Sequence, residues 1–299
     1  MTLLAPAKVN LTLEILARRD DGYHALRSVM VPLALADELT IVPAERFAFA
    51  CDPPALTDDN LVVRALGRLG LADAPLAVTL RKRIPVGAGL GGGSSDAASV
   101  LRAAMEGAFG PLGGERDWVA DARALGSDVP FFLVDAPALV EGTGERVTAL
   151  GAAPPWWVVL AVPDVHVATG AAYARLAQLR AEQPAPARAR SDSATIRCGQ
   201  ALQRHDYDEV LATMTNDFES VVRAAQPAVD ATLRALSAAG APGRAMLSGS
   251  GGACFALLAG ADDARELADR LRAPAGTSVH VLPFAVGATF VDSHLDSPA

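Results

Sequence analysis

The sequence predicts an α+β fold, because segments with the two-residue apolar period of strands alternate with segments that have the apolar spacing of helices. Residues 9–16 are typical of a half-buried strand, since four apolar side chains alternate there with polar ones: Val9, Leu11, Leu13 and Ile15. Residues 59–69 instead carry apolar side chains at helical spacing. The second half of the chain repeats this mixture of short strands and helices.

The N-terminal half continues with a predicted strand at residues 76–83, which Pro85 ends. A glycine-rich turn follows it and opens a helix that is expected to run to Met105. Side-chain oxygens favour the first position of a helix, so three residues are candidates for its N-cap: Ser94, Ser95 and Asp96.

A helix at residues 117–125 is expected to lead into Asp128. The apolar residues 129–133 after it are expected to form a strand, and Pro130 disfavours helical geometry at Val129. Asp128 on its own could simply be a turn former between helix and strand.

The C-terminal half begins near residues 154–156, which gives two predicted domains, 1–154 and 155–299. Residues 182–192 are rich in Pro, Ala, Arg and Ser and are expected to form an exposed, mobile loop. The remaining predicted elements are helices at 207–224, 227–239 and 262–272, and strands at 245–247, at 253–258 and from 278 onward.

Composition excludes several classes of protein. The 299 residues contain 26 Lys and Arg against 34 Asp and Glu, a net charge of -8, so no basic field would attract nucleic acid. The longest apolar runs are far shorter than the ~20 residues of a membrane-spanning helix, and the N-terminus does not resemble a secretory signal. Three widely spaced cysteines do not suit a disulfide framework and favour a reducing cytoplasm. The sequence gives no prediction of oligomeric state or of metal ligands.

The glycine-rich turn is the strongest functional signal. It comprises Pro85, Val86, Gly87, Ala88, Gly89, Leu90, Gly91, Gly92, Gly93, Ser94 and Ser95. Glycine permits positive φ and close approach of a ligand, so consecutive N–H groups can point at one anion beside the positive end of a helix. Five glycines within seven positions therefore predict a phosphate site.

Three phosphate motifs compete for this segment. A Walker A loop would need Lys after its last glycine, but Ser94 follows Gly93. Gly87, Gly89 and Gly92 formally match the dinucleotide fingerprint, which leaves an oxidoreductase as an alternative, although the acidic residue expected about 20 positions later falls in a loop-like region. The third motif is Pro-x-x-x-Gly-Leu-Gly-Gly-Gly-Ser-Ser, which matches in full.

This third motif resembles the phosphate loop of the GHMP kinases, a superfamily named for galactokinase, homoserine kinase, mevalonate kinase and phosphomevalonate kinase. Further segments resemble the family in the same order: Ala5-Pro-Ala-Lys-Val-Asn-Leu11, Asp21-Gly-Tyr-His24, Asp59-Asn-Leu61, Gly126-Ser-Asp-Val-Pro130, Asn216-Asp-Phe-Glu219 and Ser248-Gly-Ser-Gly-Gly252. The resemblance implies a two-domain fold, with an ATP-binding domain of ribosomal-S5-like type, a C-terminal α/β domain and the active site between them.

The resemblance also implies a reaction. Within the superfamily, these segments look most like those of kinases that transfer the γ-phosphoryl group of ATP, with Mg²⁺, to the 2-hydroxyl of a cytidine diphosphate-linked methylerythritol. In that reading Asp128 takes the proton of the acceptor hydroxyl, and Lys8 keeps Asp128 ionised and stabilises the developing charge. Without the resemblance, Lys8 could equally be a solvated charge on the polar face of its strand.

Contacts to the acceptor are likewise implied by the resemblance. Asn10 is expected to help hold the acceptor, Tyr23 to stack on its cytosine and His24 to hydrogen-bond to it, with Tyr173 on the opposite face. The second glycine cluster is expected to bind the diphosphate through backbone N–H groups, although it could be only a hairpin turn: Ser248, Gly249, Ser250 and Gly251.

Two assignments stay open between function and structure. Asn60 either lies near the adenine or caps a helix. Residues 216–219 match a family signature whose role does not follow from the residues, and as part of a helix they could be structural. The rival functions are a GHMP kinase with another acceptor and an inactive regulator on the same scaffold.

Overall fold

The structure is a computed structural model that describes residues 1–18, 24–182 and 193–285. Its strands are β1 (Thr2–Arg18), β2 (His24–Pro43), β3 (Ala48–Asp52), β4 (Leu76–Arg81), β5 (Ala138–Gly142), β6 (Arg146–Ala149), β7 (Trp157–Pro163), β8 (Thr215–Asn216), β9 (Met246–Leu247), β10 (Cys254–Leu258) and β11 (Thr277–Pro283). Its helices are α1 (Leu61–Arg68), α2 (Gly92–Met105), α3 (Trp118–Leu125), α4 (Val129–Phe132), α5 (Thr169–Glu182), α6 (Ala194–Gln203), α7 (Tyr207–Thr213), α8 (Glu219–Ala225), α9 (Pro227–Ala238) and α10 (Ala261–Arg270). The predicted α+β class is confirmed.

Two sheets organise these elements. The first has seven strands, with β3-β4-β2-β1-β8 in order, while β5 pairs with both β2 and β6. The second has the order β11-β7-β10-β9. Because β8 lies late in the chain but pairs in parallel with β1, the C-terminal half completes the N-terminal sheet.

Along β1, the face that carries the buried apolar side chains changes twice. Its pairing with β2 shifts register between Pro6 and Ala7 and again between Asn10 and Thr12. Between these shifts, Ala7, Val9 and Leu11 belong to a buried apolar cluster with residues of β7 and β10. Outside the shifts, the apolar residues belong to a cluster with residues of α2, and these are Leu3, Ala5, Leu13 and Ile15. A one-residue shift exchanges the faces of a strand, so Lys8 and Asn10 lie on the face of β1 opposite Ala7, Val9 and Leu11, where Lys8 contacts Gly89 and Asp128.

Two local predictions are wrong. Residues 129–133 do not form a strand: Val129–Phe132 is a four-residue helix in which Pro130 occupies the first turn, where its missing N–H costs nothing. The helix predicted at 207–224 is interrupted, because β8 separates α7 from α8. Asn216 therefore belongs to a strand.

The start of α2 also differs from the prediction. Its N-cap is Gly91, at φ +74°, and no side chain caps the helix, so Ser94, Ser95 and Asp96 lie inside it. A left-handed conformation at this position suits glycine. The loop predicted at residues 182–192 lies outside the described residues except for Glu182, which ends α5.

Candidate active site

The glycine-rich turn packs directly against the second glycine cluster. Gly87, Gly89 and Gly91 all have positive φ, between +71° and +85°. A Cβ on Gly89 would lie 2.5 Å from the carbonyl oxygen of Ser248, and a Cβ on Gly251 would overlap the backbone of Ala88. Glycine is therefore required on both sides, and the two predicted motifs meet in space.

The first of two neighbouring cavities, which we call the nucleotide cavity, has a volume of about 480 Å³ and lies along the glycine-rich turn. Its other walls are the segment before α1 and residues 166–169. The N-terminal N–H groups of α2 lack a side-chain cap and lie at this cavity, with the positive end of the helix dipole. Such an arrangement binds phosphate.

Asn60 lines the nucleotide cavity and caps α1. Its Oδ1 accepts a hydrogen bond from the N–H of Val62 at 2.9 Å, and its Nδ2 donates to the carbonyl of Leu56 at 2.8 Å. Both ends of the amide are thus used within the protein, which supports the capping alternative.

The second cavity, which we call the acceptor cavity, has a volume of about 550 Å³. It shares Gly89, Gly91 and Thr169 with the nucleotide cavity. Most of the other predicted site residues line it: Lys8, Asn10, His24, Asp128, Tyr173, Gly249 and Ser250.

Lys8 lies where the two cavities meet. The residue is only 2% exposed, and its Nζ donates to Oδ1 of Asn10 and to the carbonyl of Gly89, both at 2.7 Å. Nζ is also 3.7 Å from Oδ2 of Asp128. Burial lowers the pKa of Lys8, and the charge of Asp128 opposes that shift.

Asn10 is held in one orientation by a chain of hydrogen bonds. Its Nδ2 donates to Oγ of Ser28 at 2.8 Å, and that hydroxyl donates to the carbonyl of Thr12 at 2.5 Å. Oδ1 of Asn10 is therefore directed at Lys8, and Nδ2 is directed away from it.

Asp128 is the N-cap residue of α4, but its side chain does not cap the helix. Its carboxylate is 34% exposed, faces the acceptor cavity and lies near Lys8. A partly exposed carboxylate beside a fixed cation can take up a proton from a bound hydroxyl group.

Aromatic rings form one end of the acceptor cavity. The rings of His24 and Tyr173 stack with centroids 5.9 Å apart, and Tyr173 packs edge-on against Phe218 at 4.7 Å. Burial, followed by the charge of Asp128, raises the pKa of Tyr173. Tyr23 lies outside the described residues.

The partners of Asn216 do not follow from the sequence. Its Nδ2 donates to the carbonyls of Leu247 and Gly249, each at 2.8 Å, and its Oδ1 accepts from the N–H of Phe218 at 2.9 Å. One buried amide thus connects the second glycine cluster to the aromatic end of the acceptor cavity. The family signature was visible in the sequence, but these partners were not.

A buried charged group at the nucleotide cavity was also missed. Nζ of Lys82 pairs with Asp37 and, at 2.5 Å, with Oδ2 of Asp96. Burial raises the pKa of Asp96 to about 7; Lys82 opposes the shift and Asp37 adds to it. Oδ1 of Asp37 accepts from the N–H groups of Arg83 and Ile84, which ties this group to the start of the glycine-rich turn.

Hard oxygen atoms suited to Mg²⁺ lie in the first turns of α2. Oγ of Ser95 and Oδ1 of Asp96 are buried and have no hydrogen-bond partner among the described residues. Residues 1–18, 24–182 and 193–285 contain no group of three or more His, Cys, Asp or Glu that could hold a metal ion. Mg²⁺ commonly takes one or two protein oxygens together with phosphate and water, so the residues present fit that ion in the company of a nucleotide.

Within the same ranges, no helix is both long and apolar enough to cross a membrane. Cys51, Cys198 and Cys254 are buried and free.

Two family models match the chain. The GHMP kinases N terminal domain matches residues 60–135, and GHMP kinases C terminal matches residues 200–276. Curated proteins named 4-diphosphocytidyl-2-C-methyl-D-erythritol kinase are similar over nearly the whole length. The one from Symbiobacterium thermophilum is 40% identical over 91% of this chain and 95% of its own, and the one from Deinococcus radiodurans is 40% identical over 89% and 87%.

Solved structures are similar as well. A crystal structure of 4-(cytidine 5'-diphospho)-2C-methyl-D-erythritol kinase has a TM-score of 0.75 and 37% identity, and the match covers 95% of this chain and 100% of that one. L. major mevalonate kinase in complex with R-mevalonate has a TM-score of 0.66 over 97% of each chain. Its 14% identity shows a common fold alone.

Proposed function

The chain belongs to the 4-diphosphocytidyl-2-C-methyl-D-erythritol kinases, a family of the GHMP kinases, and we therefore propose that its two cavities bind the two substrates of that reaction. It is an ATP-dependent kinase that phosphorylates the 2-hydroxyl of 4-diphosphocytidyl-2-C-methyl-D-erythritol, giving the 2-phosphate and ADP. The reaction is a step of non-mevalonate isoprenoid biosynthesis.

The assignment of one substrate to each cavity rests on the place where the two cavities meet. The nucleotide cavity and the acceptor cavity share Gly89 and Gly91, and the Lys8 and Asp128 pair lies on the acceptor side of that junction. Phosphoryl transfer requires the donor phosphate and the acceptor oxygen to be in line and close together. A kinase with one cavity for each substrate and charged groups where they meet satisfies this requirement.

ATP is assigned to the nucleotide cavity, with its phosphates along residues 85–95 and at the N-terminus of α2. The uncapped helix end and the positive φ values of the turn support this assignment. The adenine is assigned to the end of the cavity formed by Leu56 and Asn60, where Asn60 shapes the wall as the cap of α1.

Mg²⁺ is part of the proposal. Asp96, which lines the nucleotide cavity, would hold it through Oδ1, an atom with no partner among the described residues, and the bound ion would neutralise charge on the phosphates.

The chemistry on the acceptor side is assigned to two residues. Asp128 takes the proton of the 2-hydroxyl as its oxygen bonds to the γ-phosphorus of ATP, and the bond from that phosphorus to the β–γ bridging oxygen breaks to release ADP. The Lys8 ammonium, fixed by Asn10 and Gly89, keeps Asp128 ionised and stabilises the charge that develops on the transferred group.

The cytidine end is assigned to the aromatic end of the acceptor cavity. His24 and Tyr173 line that end, and Tyr23 remains part of the proposal as the stacking residue. Asn10 holds the acceptor indirectly, since both ends of its amide are bound to protein. The second glycine cluster, residues 248–251, is assigned to the diphosphate, with Ser250 fixed by a 2.9 Å hydrogen bond to Thr169.

Three buried free thiols agree with a reducing compartment, and we assign the reaction to the cytoplasm.

ADP release by the purified protein with Mg²⁺ and ATP tests the proposal directly. We expect turnover with 4-diphosphocytidyl-2-C-methyl-D-erythritol and background rates with mevalonate, homoserine and galactose. Turnover with another of these acceptors would overturn the acceptor assignment. Nucleotide binding without turnover on any acceptor would overturn the kinase assignment in favour of a regulator.

A further inference from the structure

The turn between β5 and β6, residues 142–145, touches the backbone that carries Asp128. Gly144 in this turn has φ +115°. A Cβ added to it would lie 2.9 Å from the carbonyl carbon of Ser127 and closer still to the carbonyl oxygen, whereas Cβ atoms in proteins essentially never come within 3.0 Å of another heavy atom. Since Ser127 immediately precedes Asp128, a side chain at position 144 would displace the aspartate.

The turn itself is firmly held. The carboxylate of Glu145 accepts hydrogen bonds from the N–H of Thr143 at 2.6 Å and from its hydroxyl at 2.8 Å, and the N–H of Gly144 donates to the carbonyl of Glu141 at 3.3 Å. Burial alone would raise the pKa of Glu145, but these hydrogen bonds and that of its own N–H lower it. The turn therefore presents a fixed surface to Ser127.

The turn and Lys8 belong to the same sheet. β5 pairs with β2 in the register Leu26 to Gly142, and β2 pairs with β1 in the register Pro32 to Lys8. Asp128, by contrast, is not on a strand: it lies between the end of α3 and the short helix α4. The contact between Gly144 and Ser127 is thus one point at which the segment that carries Asp128 meets the sheet that carries Lys8.

The segment that carries Asp128 has few backbone hydrogen bonds of its own. The N–H of Gly126 donates to Ala122 at 3.2 Å and the N–H of Val129 to Gly126 at 3.2 Å, and α4 is only four residues long. An external contact can therefore determine where the carboxylate lies.

We propose that Gly144 is a positioning residue for phosphoryl transfer, which sets the distance between Asp128 and Lys8 through its contact with the Ser127 carbonyl. The inference rests on the proposed role of Asp128 as the proton acceptor. It adds a residue that touches neither ATP nor the reacting atoms, and it assigns the turn 142–145 a function in alignment.

The test compares Gly144→Ala with Gly151→Ala. Gly151 has φ +93°, and a Cβ there would meet no heavy atom within 4 Å, so both variants introduce backbone strain but only one displaces Ser127. We expect kcat to fall about 10- to 100-fold in Gly144→Ala, as misplacement of a reacting group on the order of 1 Å does, with the ADP dissociation constant unchanged. Gly151→Ala should keep the wild-type kcat. Equal kcat values in the two variants would overturn the proposal.

A double variant separates alignment from general damage. If Gly144 acts through Asp128, then adding Gly144→Ala to Asp128→Asn lowers the residual turnover no further, whereas independent effects multiply. If Gly144→Ala does not fold, Glu145→Gln loosens the same turn without overlap and should show a smaller kcat loss with the same non-additivity. Multiplying losses would overturn the inference, and full activity of Asp128→Asn alone would instead overturn the proposed function.

Discussion

Lys8 is a buried ammonium group whose contacts come from distant parts of the chain. Alternation in β1 placed it with Asn10 on one face, and the family resemblance gave its role. Its surroundings, however, include the carbonyl of Gly89, 81 residues away, and the carboxylate of Asp128. Neither can be read from local pattern. A buried ammonium is stable only with partners, so these contacts are part of its chemistry.

Removing either member of the Lys8 and Asp128 pair should reduce catalysis while sparing nucleotide binding. We expect Lys8→Ala and Asp128→Asn each to lower kcat about 10²- to 10⁴-fold, the usual contribution of a positioned proton acceptor or its partner. Steady-state rates and ADP titration measure the two effects. A folded variant with wild-type turnover would contradict the assignment.

Asp96 should make stability fall as pH rises. Its pKa is raised from 3.8 to about 7, so between these values the folded protein holds a proton that the unfolded chain has lost. The unfolded state then binds fewer protons, and the free energy of unfolding decreases with rising pH. Asp96→Asn removes this contribution, so its Tm should change less across that window than the wild-type Tm.

Thermal unfolding over a series of pH values makes that comparison. Asp262→Asn is the control, because the Asp262 carboxylate is 93% exposed and should leave the wild-type slope intact. Asp96→Asn with an unchanged slope would show that the carboxyl titrates normally in the folded protein.

At the scale of elements, the strand predicted at residues 129–133 and the helix predicted at 207–224 were wrong for different reasons. The first is a short apolar run, and in the second a strand interrupts helical spacing. Residues 129–132 are apolar in every position, and periodicity cannot distinguish a buried strand from a short helix in such a run. β8 is only two residues long and is defined by pairing with Thr12 and Leu13, which lie far away in the sequence. In contrast, α1, α3 and α9 were predicted nearly to their ends, because each has strong apolar spacing and a recognisable start.

Asn216 should prove important as the buried connection between β8 and the second glycine cluster. Asn216→Ala leaves the carbonyls of Leu247 and Gly249 without its donor, which should cost about 1–3 kcal/mol of unfolding free energy. We also expect a higher KM for the acceptor, because residues 248–251 lose their anchor. The exposed Ser220→Ala on the same segment is the control. Unchanged stability and unchanged KM would refute this role.

At the scale of the whole molecule, apolar packing crosses the predicted boundary at residues 154–156. One cluster of buried apolar side chains joins β1 and β2 to β7 and β10, through residues such as Val9, Val31, Leu160 and Phe255. Sequence pattern marks apolar residues but does not say which half of the chain covers them. That information appears only when the register shifts in β1 are known.

The shared core predicts one cooperative unfolding transition. A calorimetric scan of the intact protein should show a single peak whose calorimetric and van't Hoff enthalpies agree. The fragments 1–154 and 155–299 should not fold separately, because each would expose the apolar surface that the other covers. Two separate transitions, or a fragment with a native-like spectrum, would contradict this expectation.

The pairing of β1 with β8 has a consequence for synthesis in the cell. Ribosomes add about 5–20 residues per second, so roughly 10 to 40 s pass between translation of β1 and translation of β8. During that interval the edge of β1 at Thr12 and Leu13 is open, and Ala7, Val9 and Leu11 have not yet met β7 or β10. The nascent N-terminal half therefore exposes an unpaired strand edge and apolar surface until synthesis is well advanced, and the kinase gains its active site only when its C-terminal half has left the ribosome.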